Sequence, residues 1–193
     1  EAADPTVLIF KDEYWLFASK SGGYWHSSDL VDWVFIKSND IPTEEYAPTA
    51  IVIKDTIYFL ASSDKKSTIY KSADPRSGKW KIAKDSLPFV VWDPAFFQDD
   101  DGKLYLYWSC SNKNPLYGIE LDYKNNFKTK GEQVACLKGN PDNNGWENRG
   151  DNNTITNEQP WIEGSWMNKY NGKYYLQYAG PGTEYKCYAD GVY

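Results

Sequence analysis

Short runs of apolar residues alternate with tight turns along the chain, a pattern typical of antiparallel β-strands. Four such runs follow one another near the start: Thr6–Phe10, Tyr14–Ala18, Tyr24–Ser27 and Trp33–Ile36. The turn between the first two runs is short and charged, as expected for a hairpin. The pattern therefore predicts a four-stranded meander over about residues 4 to 37.

The same pattern repeats further along the chain, and the repeat can be checked residue by residue. Six positions match at a constant offset of 43: Pro5, Thr6, Asp12, Tyr14, Ala18 and Ser19 correspond to Pro48, Thr49, Asp55, Ile57, Ala61 and Ser62. A second pair of repeats matches at an offset of 70, with Asp101–Leu106 on Asn171–Leu176 and Pro94 on Gly164.

These matches divide the chain into four repeats and one insertion. The repeats cover about residues 4–37, 47–84, 92–137 and 159–193, and the last is incomplete. A polar segment, 138–158, lies between the third and fourth repeats. Four-stranded repeats of about 45 residues are typical of β-propellers. We therefore predict an all-β protein whose residues 1–193 form part of one β-propeller domain.

Composition excludes several classes of partner. The formal net charge is −6 and the pI is about 4.9, which argues against a nucleic-acid partner. No apolar run approaches the length of a membrane span. The three cysteines, Cys110, Cys136 and Cys187, are too few and too scattered to predict a disulfide framework or a zinc site.

Three of the four repeats have a carboxylate at the residue before a Pro or Gly. These are Asp4 before Pro5, Asp93 before Pro94, and Glu163 before Gly164, while the second repeat has Ala47 at this place. Because one repeat lacks the acid, folding of the repeat does not require it. If the repeats are arranged about an axis, we expect the three carboxylates to converge there.

The alternative for each acid is a purely structural role. Asp-Pro is a common turn pair, which would explain Asp4 or Asp93 taken singly. Glu163 lies between Trp161 and Trp166 in an apolar run, where a carboxylate is costly unless it is paired or used. The run Asp99–Asp101 fails the spacing of an EF-hand calcium loop, so we interpret it as a solvated turn.

Three converging carboxylates suit inverting hydrolysis of a glycoside. One acid protonates the leaving oxygen, and a base roughly 6.5–9.5 Å away activates water on the opposite face of the sugar. A third carboxylate beside the acid raises the pKa of the acid by like-charge repulsion.

Aromatic and polar residues near these acids are candidates for sugar contact. Trp92 and Trp161 each stand close before an acid and are suited to stacking on a sugar face. In the insertion, Trp146, Glu147 and Arg149 are either substrate contacts or part of a merely solvated loop. The single histidine, His26, is interpreted as structural.

The motifs Ala3-Asp4-Pro5, Trp92-Asp93-Pro94-Ala95 and Ile162-Glu163-Gly164 resemble the three acidic motifs of glycoside hydrolase family 43, as does the segment 28–33. The resemblance implies a five-bladed β-propeller that cleaves β-xylosides or α-L-arabinofuranosides with inversion. It implies Asp4 as general base, Asp93 as the residue that tunes the pKa of the acid and orients it, and Glu163 as general acid.

Two departures from that family accompany the resemblance. The third motif reads Glu-Gly-Ser where Glu-Gly-Pro is common, and a fifth repeat is absent. Family members often hold a calcium ion at the propeller axis with help from a fifth-blade histidine, and the chemistry needs no cofactor. Four repeats cannot close a five-bladed ring, so we expect a longer natural protein, secreted or periplasmic, that acts on carbohydrate.

Two other functions fit parts of the same pattern. A propeller that binds glycans without cleaving them would share the fold and the aromatic residues. Fructan-hydrolysing propellers also use three acids, but their Asn-Asp-Pro-Asn-Gly and Arg-Asp-Pro motifs are absent here. The sequence selects neither the sugar nor exo against endo action.

Overall fold

The computed structural model describes residues 3–193, and its regular structure consists of β-strands and three short 3₁₀ helices. The strands are β1 (Ala3–Phe10), β2 (Glu13–Ser19), β3 (Gly23–Ser27), β4 (Val34–Lys37), β5 (Thr49–Ile53), β6 (Thr56–Leu60), β7 (Ile69–Ser72), β8 (Lys81–Lys84), β9 (Ala95–Gln98), β10 (Leu104–Trp108), β11 (Leu116–Asp122), β12 (Lys128–Leu137), β13 (Glu163–Tyr170), β14 (Lys173–Gly180) and β15 (Ala189–Val192). The 3₁₀ helices cover Pro75–Ser77, Tyr123–Asn125 and Gly145–Glu147.

The strands form four antiparallel sheets in which each strand pairs with its neighbour in sequence. Blade 1 contains β1 to β4, blade 2 contains β5 to β8, blade 3 contains β9 to β12, and blade 4 contains β13 to β15. The predicted all-β class is confirmed. In the described part of the chain, no helix is long and apolar enough to cross a membrane.

The chain divides into two compact units. The first contains the described residues up to Pro94 together with Lys124–Phe127, and the second contains Ala95–Tyr123 and Lys128–Tyr193. Blades 1 and 2 therefore belong to the first unit, and the strands of blade 4 with the insertion belong to the second. The segment Lys124–Phe127 joins the first unit because the Phe127 ring packs 5.1 Å from that of Tyr58.

Aromatic side chains fill the core of the first unit. Phe17 of β2 packs against Phe59 of β6 with ring centroids 5.6 Å apart. Tyr24 is fully buried; its hydroxyl donates to the Pro75 carbonyl at 2.7 Å and accepts from Trp80 Nε1 at 2.9 Å. Burial raises the pKa of Tyr24 to about 12. These contacts join two blades because large rings occupy the space between their sheets.

The hairpin of blade 4 has a turn one residue shorter than the hairpin of blade 3. Leu104 pairs with Gln98 in blade 3. Its counterpart at the offset of 70, Tyr174, pairs with Lys169 rather than with Asn168. The offset of 70 therefore holds for β14, whereas β13 matches β9 at an offset one residue larger.

Because of this shift, Glu163 does not occupy the repeat position of Asp4 and Asp93. In each blade, one residue at the start of the first strand or just before it has a left-handed backbone: Asp4 (φ 49°), Ala47 (φ 41°), Asp93 (φ 48°) and Gly164 (φ 61°). The structural counterpart of Asp4 and Asp93 is thus Gly164. The alignment that put Pro94 on Gly164 was wrong by one residue.

Asp100 and Asp101 are exposed, as expected for a solvated turn, whereas Asp99 is held by a cation. Asp99 Oδ1 accepts a hydrogen bond from Lys169 Nζ at 2.5 Å, and Oδ2 accepts one from the Tyr174 hydroxyl at 2.6 Å. The Lys169 hydrogen bond, and after it that of Tyr174, lowers the pKa of Asp99 to about 2. The same contact raises the pKa of Lys169. The pair links the β9–β10 turn to β13.

We expect Asp99→Asn to lower the melting temperature at neutral pH and to make the melting temperature fall less as the pH is lowered. A carboxyl whose folded-state pKa is depressed stabilises the fold above its unfolded pKa, here 3.8, and loses that contribution as pH falls to about 2. Melting temperatures measured between pH 2 and 7 should show the variant below the wild type at pH 7 and converging with it near pH 2. Asp55→Asn, in the exposed turn of blade 2, is the control. A constant gap between Asp99→Asn and wild type at all pH values would contradict this role.

Candidate active site

Asp4 lies in a bulge of β1, where the regular pairing with β2 is interrupted. The register between β1 and β2 shifts between Ala3 and Thr6, and Asp4 has a left-handed backbone within that bulge. Ser19 Oγ donates to Asp4 Oδ2 at 2.5 Å and accepts from the Ala47 N–H at 2.7 Å. One hydroxyl therefore fixes the Asp4 carboxylate and the entry to blade 2.

Asp93 is held in a related way, although it lies just outside a strand. It precedes β9, which begins at Ala95, and its N–H donates to Ser62 Oγ at 2.9 Å. Ser62 corresponds to Ser19 at the offset of 43. The two serines thus use the same repeat position to hold the backbone at the entry to the next blade.

Glu163 begins β13, and both of its carboxylate oxygens accept hydrogen bonds. Cys110 Sγ donates to Oε2 at 2.9 Å, and the Tyr188 hydroxyl donates to Oε1 at 2.8 Å. Cys110 follows β10, and Tyr188 directly precedes β15. The expectation that this acid would be paired or used is met by two uncharged donors.

Uncharged donors orient Asp4 and Glu163, whereas several other acids of the protein pair with cations. Glu13 pairs with Arg76, and Asp85 pairs with Lys66 at 2.6 Å. Within residues 3–193, neither Asp4 nor Glu163 takes part in an ion pair. An acid–base pair needs carboxyls that can take up and release protons, whereas a bound cation holds a carboxylate in its charged form.

The two tryptophans before the acids differ in exposure. Trp92 is 38% exposed, so its ring is accessible. Trp161 is half-buried, and its backbone N–H donates to the Pro181 carbonyl at 2.8 Å. Stacking of either ring on a sugar stays a prediction.

Glu147 is neither an accessible substrate contact nor part of a solvated loop, the two alternatives expected for it. It is 1% exposed, and its carboxylate accepts from the Asn140 N–H at 2.5 Å, from Asn144 Nδ2 at 2.9 Å and from the Tyr178 hydroxyl at 2.7 Å. Burial, and after it this hydrogen bond, raises the pKa of Tyr178. Trp146 packs beside it, 5.6 Å from the Tyr178 ring. The insertion is therefore anchored on β14 and is not simply solvated.

Arg149 is also engaged within the protein. Its guanidinium pairs with Glu158 and, at 3.1 Å, with Glu184, and it lies 5.5 Å from the Tyr185 ring centroid. Glu184 and Tyr185 belong to the β14–β15 loop, residues 181–188. Direct contact of Arg149 with a substrate stays a prediction.

The structure thus divides the predicted site residues between the two units. Asp4, Asp93 and Trp92 belong to the first, and Glu163, Trp161, Trp146 and Arg149 belong to the second. Convergence of the three carboxylates stays a prediction.

Sequence reasoning missed the groups that hold these acids. The recurrence of Ser19 and Ser62 at one repeat position was a usable signal, because a repeated polar residue needs a repeated partner. Cys110 and Tyr188 carry no such signal: they lie 53 and 25 residues from Glu163.

Comparison with known proteins identifies relatives of this chain. The chain is 30% identical over 154 residues to a β-xylosidase of Xylanibacter ruminicola, covering 68% of this chain and 44% of that protein. It is 32% identical over 155 residues to a xylosidase/arabinosidase of Bacteroides ovatus, covering 68% and 43%. The chain spans less than half the length of these curated relatives.

Solved structures confirm the fold. A thermostable family-43 glycoside hydrolase superposes with a TM-score of 0.75 at 23% identity, covering 99% of this chain and 67% of that one. The four meander sheets are therefore blades of the β-propeller fold class. The family model for glycosyl hydrolases family 43 matches residues 1–193. The chain belongs to glycoside hydrolase family 43.

Proposed function

We propose that this chain carries the acid–base groups of an inverting glycosidase that releases xylose, arabinofuranose or a related sugar from plant-type polysaccharides or oligosaccharides. One observation carries the proposal. Asp4 and Glu163, which the motifs assign as base and acid, are oriented by uncharged donors and have no cation partner among the described residues.

The proposed reaction transfers two protons, forms one C–O bond and breaks another. Asp4 takes a proton from water as the water oxygen attacks the anomeric carbon. Glu163 donates its proton to the glycosidic oxygen as the bond between that oxygen and the anomeric carbon breaks. Ser19 occupies Oδ2 of Asp4, and we assign Oδ1 to the water. Asp93 is assigned the role of favouring the protonated form of the acid through its negative charge.

The substrate class is inferred from the relatives, which are described as a β-xylosidase and as a xylosidase/arabinosidase. Trp92 is the most accessible of the proposed sugar contacts, and Trp161 and Trp146 complete the proposed set, since the Arg149 guanidinium is occupied by Glu158 and Glu184. The proposed partner is thus a carbohydrate, and we propose a secreted or periplasmic location.

A structural calcium ion at the propeller axis stays a prediction. The single histidine of the chain, His26, packs against Trp15 with ring centroids 5.2 Å apart in blade 1. The histidine that the family resemblance implies for that ion is therefore not among these residues. No step of the proposed chemistry runs through a metal.

The proposal is tested on the full-length protein with a panel of aryl β-xylosides, α-L-arabinofuranosides and β-galactosides. We expect release of a pentose, with the first-formed anomer inverted relative to the substrate when followed by proton NMR. A retained anomer would overturn the assignment of Asp4 as base. Glycan binding without turnover, measured by calorimetry with xylo- and arabino-oligosaccharides, would replace the hydrolase by a glycan-binding propeller.

A further inference from the structure

The carboxyl of Glu163 is held on both oxygens by residues from two different loops of the second unit. Cys110 follows β10, and Tyr188 ends the β14–β15 loop. A general acid must keep its proton directed at the leaving oxygen, and small displacements of a catalytic group are costly in rate. Two fixed donors restrict rotation of the carboxyl about its last side-chain bond.

The loop that carries Tyr188 is in turn held by the insertion. Three consecutive insertion residues contact it: Arg149 pairs with Glu184 at 3.1 Å, Gly150 accepts from Cys187 Sγ at 3.0 Å, and Asp151 accepts from the Lys186 N–H at 3.2 Å. The contacts lie side by side along both segments. The loop is therefore fixed over the four residues immediately before Tyr188.

The insertion has a rigid anchor of its own. The buried carboxylate of Glu147 binds the Tyr178 hydroxyl on β14 and the backbone of Asn140. Arg149 follows two residues later and bonds to the β14–β15 loop. The contacts thus run from β14 through Glu147 and Arg149 to the loop, and from Tyr188 to Glu163.

We propose that Tyr188 and Cys110 are positioning residues for Glu163, and that the insertion acts through Arg149 to hold Tyr188 in place. The inference rests on the proposed function of Glu163. It gives the insertion a role in catalysis without sugar contact, and it makes Arg149 a brace for the loop instead of a ligand for the substrate.

The test uses Tyr188→Phe in the full-length protein, with Tyr170→Phe as the matched control on the exposed end of β13. We expect Tyr188→Phe to lower kcat about tenfold on substrates with a poor leaving group and to leave KM within about twofold. Substrates with a very acidic phenol need little help from the acid, so their hydrolysis should be unaffected. A loss of equal size on both classes would indicate general damage and overturn the inference.

The positioning role of Cys110 is tested by comparing two substitutions, one that removes the hydrogen-bond donor and one that keeps it. Cys110→Ala removes the donor and should show the same selective loss, whereas Cys110→Ser keeps a donor at the same place and should recover most of the activity. If serine and alanine behave alike, Cys110 does not position Glu163.

Arg149→Met separates the brace from a substrate ligand, with Arg76→Met in the β7–β8 connection of blade 2 as the matched control. If Arg149 is a brace, Arg149→Met should lower kcat only on substrates with a poor leaving group. The double variant Arg149→Met/Tyr188→Phe should then be no worse than Tyr188→Phe alone, because the two substitutions interrupt the same chain of contacts. A ligand predicts a higher KM on both classes and additive effects. That second outcome would overturn the role given to Arg149.

A crystal structure of the Tyr188→Phe variant keeps the inference testable if the wild-type protein proves inactive. We expect the Glu163 carboxyl to leave its wild-type position or to occupy more than one rotamer. An unchanged, ordered carboxyl would overturn the positioning role, whatever the fate of the hydrolase proposal.

Discussion

Asp4→Asn is expected to lower kcat/KM by about 10³–10⁴-fold on every glycoside, whatever its leaving group. The water must lose a proton in every turnover, and an amide cannot accept it. The change should preserve the fold, because asparagine tolerates the left-handed backbone of position 4 (φ 49°) and its amide oxygen can still accept from Ser19 Oγ. The measurement is kcat/KM on aryl glycosides of graded leaving-group pKa.

The matched control for this prediction is Asp12→Asn in the β1–β2 turn. Asp12 also has a left-handed backbone (φ 60°), so any cost of placing asparagine in that conformation appears in both variants. We expect the control to retain wild-type activity. If Asp4→Asn hydrolyses activated substrates as fast as the control does, Asp4 is not the base.

Glu163→Gln is expected to lower kcat/KM by about 10³-fold on natural oligosaccharides and by less than about tenfold on substrates with a very acidic phenol. A sugar leaving group departs only when its oxygen is protonated, whereas an acidic phenolate departs without help. The amide has the size of the carboxyl, and its oxygen can still accept from Tyr188 or Cys110. The slope of log kcat/KM against leaving-group pKa should therefore become steeper in the variant.

Glu132→Gln, on the exposed strand β12, is the control for charge removal in blade 3. It should leave the slope unchanged. A Glu163→Gln variant that fails on all substrates, beside an Asp4→Asn variant that keeps the activated ones, would reverse the two assigned roles. Wild-type behaviour of both variants would rule out the hydrolase.

Side-chain contacts between distant residues are the part of the site that sequence reasoning could not reach. Glu147 was a polar residue in a polar segment, and only the fold buries it beneath Tyr178. Asp99 belonged to a run of three aspartates that indicated a solvated turn, yet Lys169, 70 residues away, pairs with it. A pattern along one segment carries no information about which side chain arrives from another.

The strand register of the fourth repeat shows a second limit of prediction from the sequence. The match of Asp101–Leu106 with Asn171–Leu176 was correct for the second strands, because both begin after a turn that ends in glycine. Extending the offset of 70 backwards to Gly164 assumed turns of equal length. The β13–β14 turn is one residue shorter. Turn length is a local backbone property that the pattern of apolar residues does not report.

The sequence by itself determined the all-β class, the four repeats and the three acids, because strand alternation, turn residues and a constant repeat offset are local properties of the chain. Only the tertiary structure decided that Glu163 is one residue out of step with Asp4 and Asp93, and that Cys110 and Tyr188 hold its carboxyl. It also decided that Arg149 is bound to Glu158 and Glu184. These outcomes depend on which loops meet in space, and loops brought together by packing of blades can be far apart in the chain.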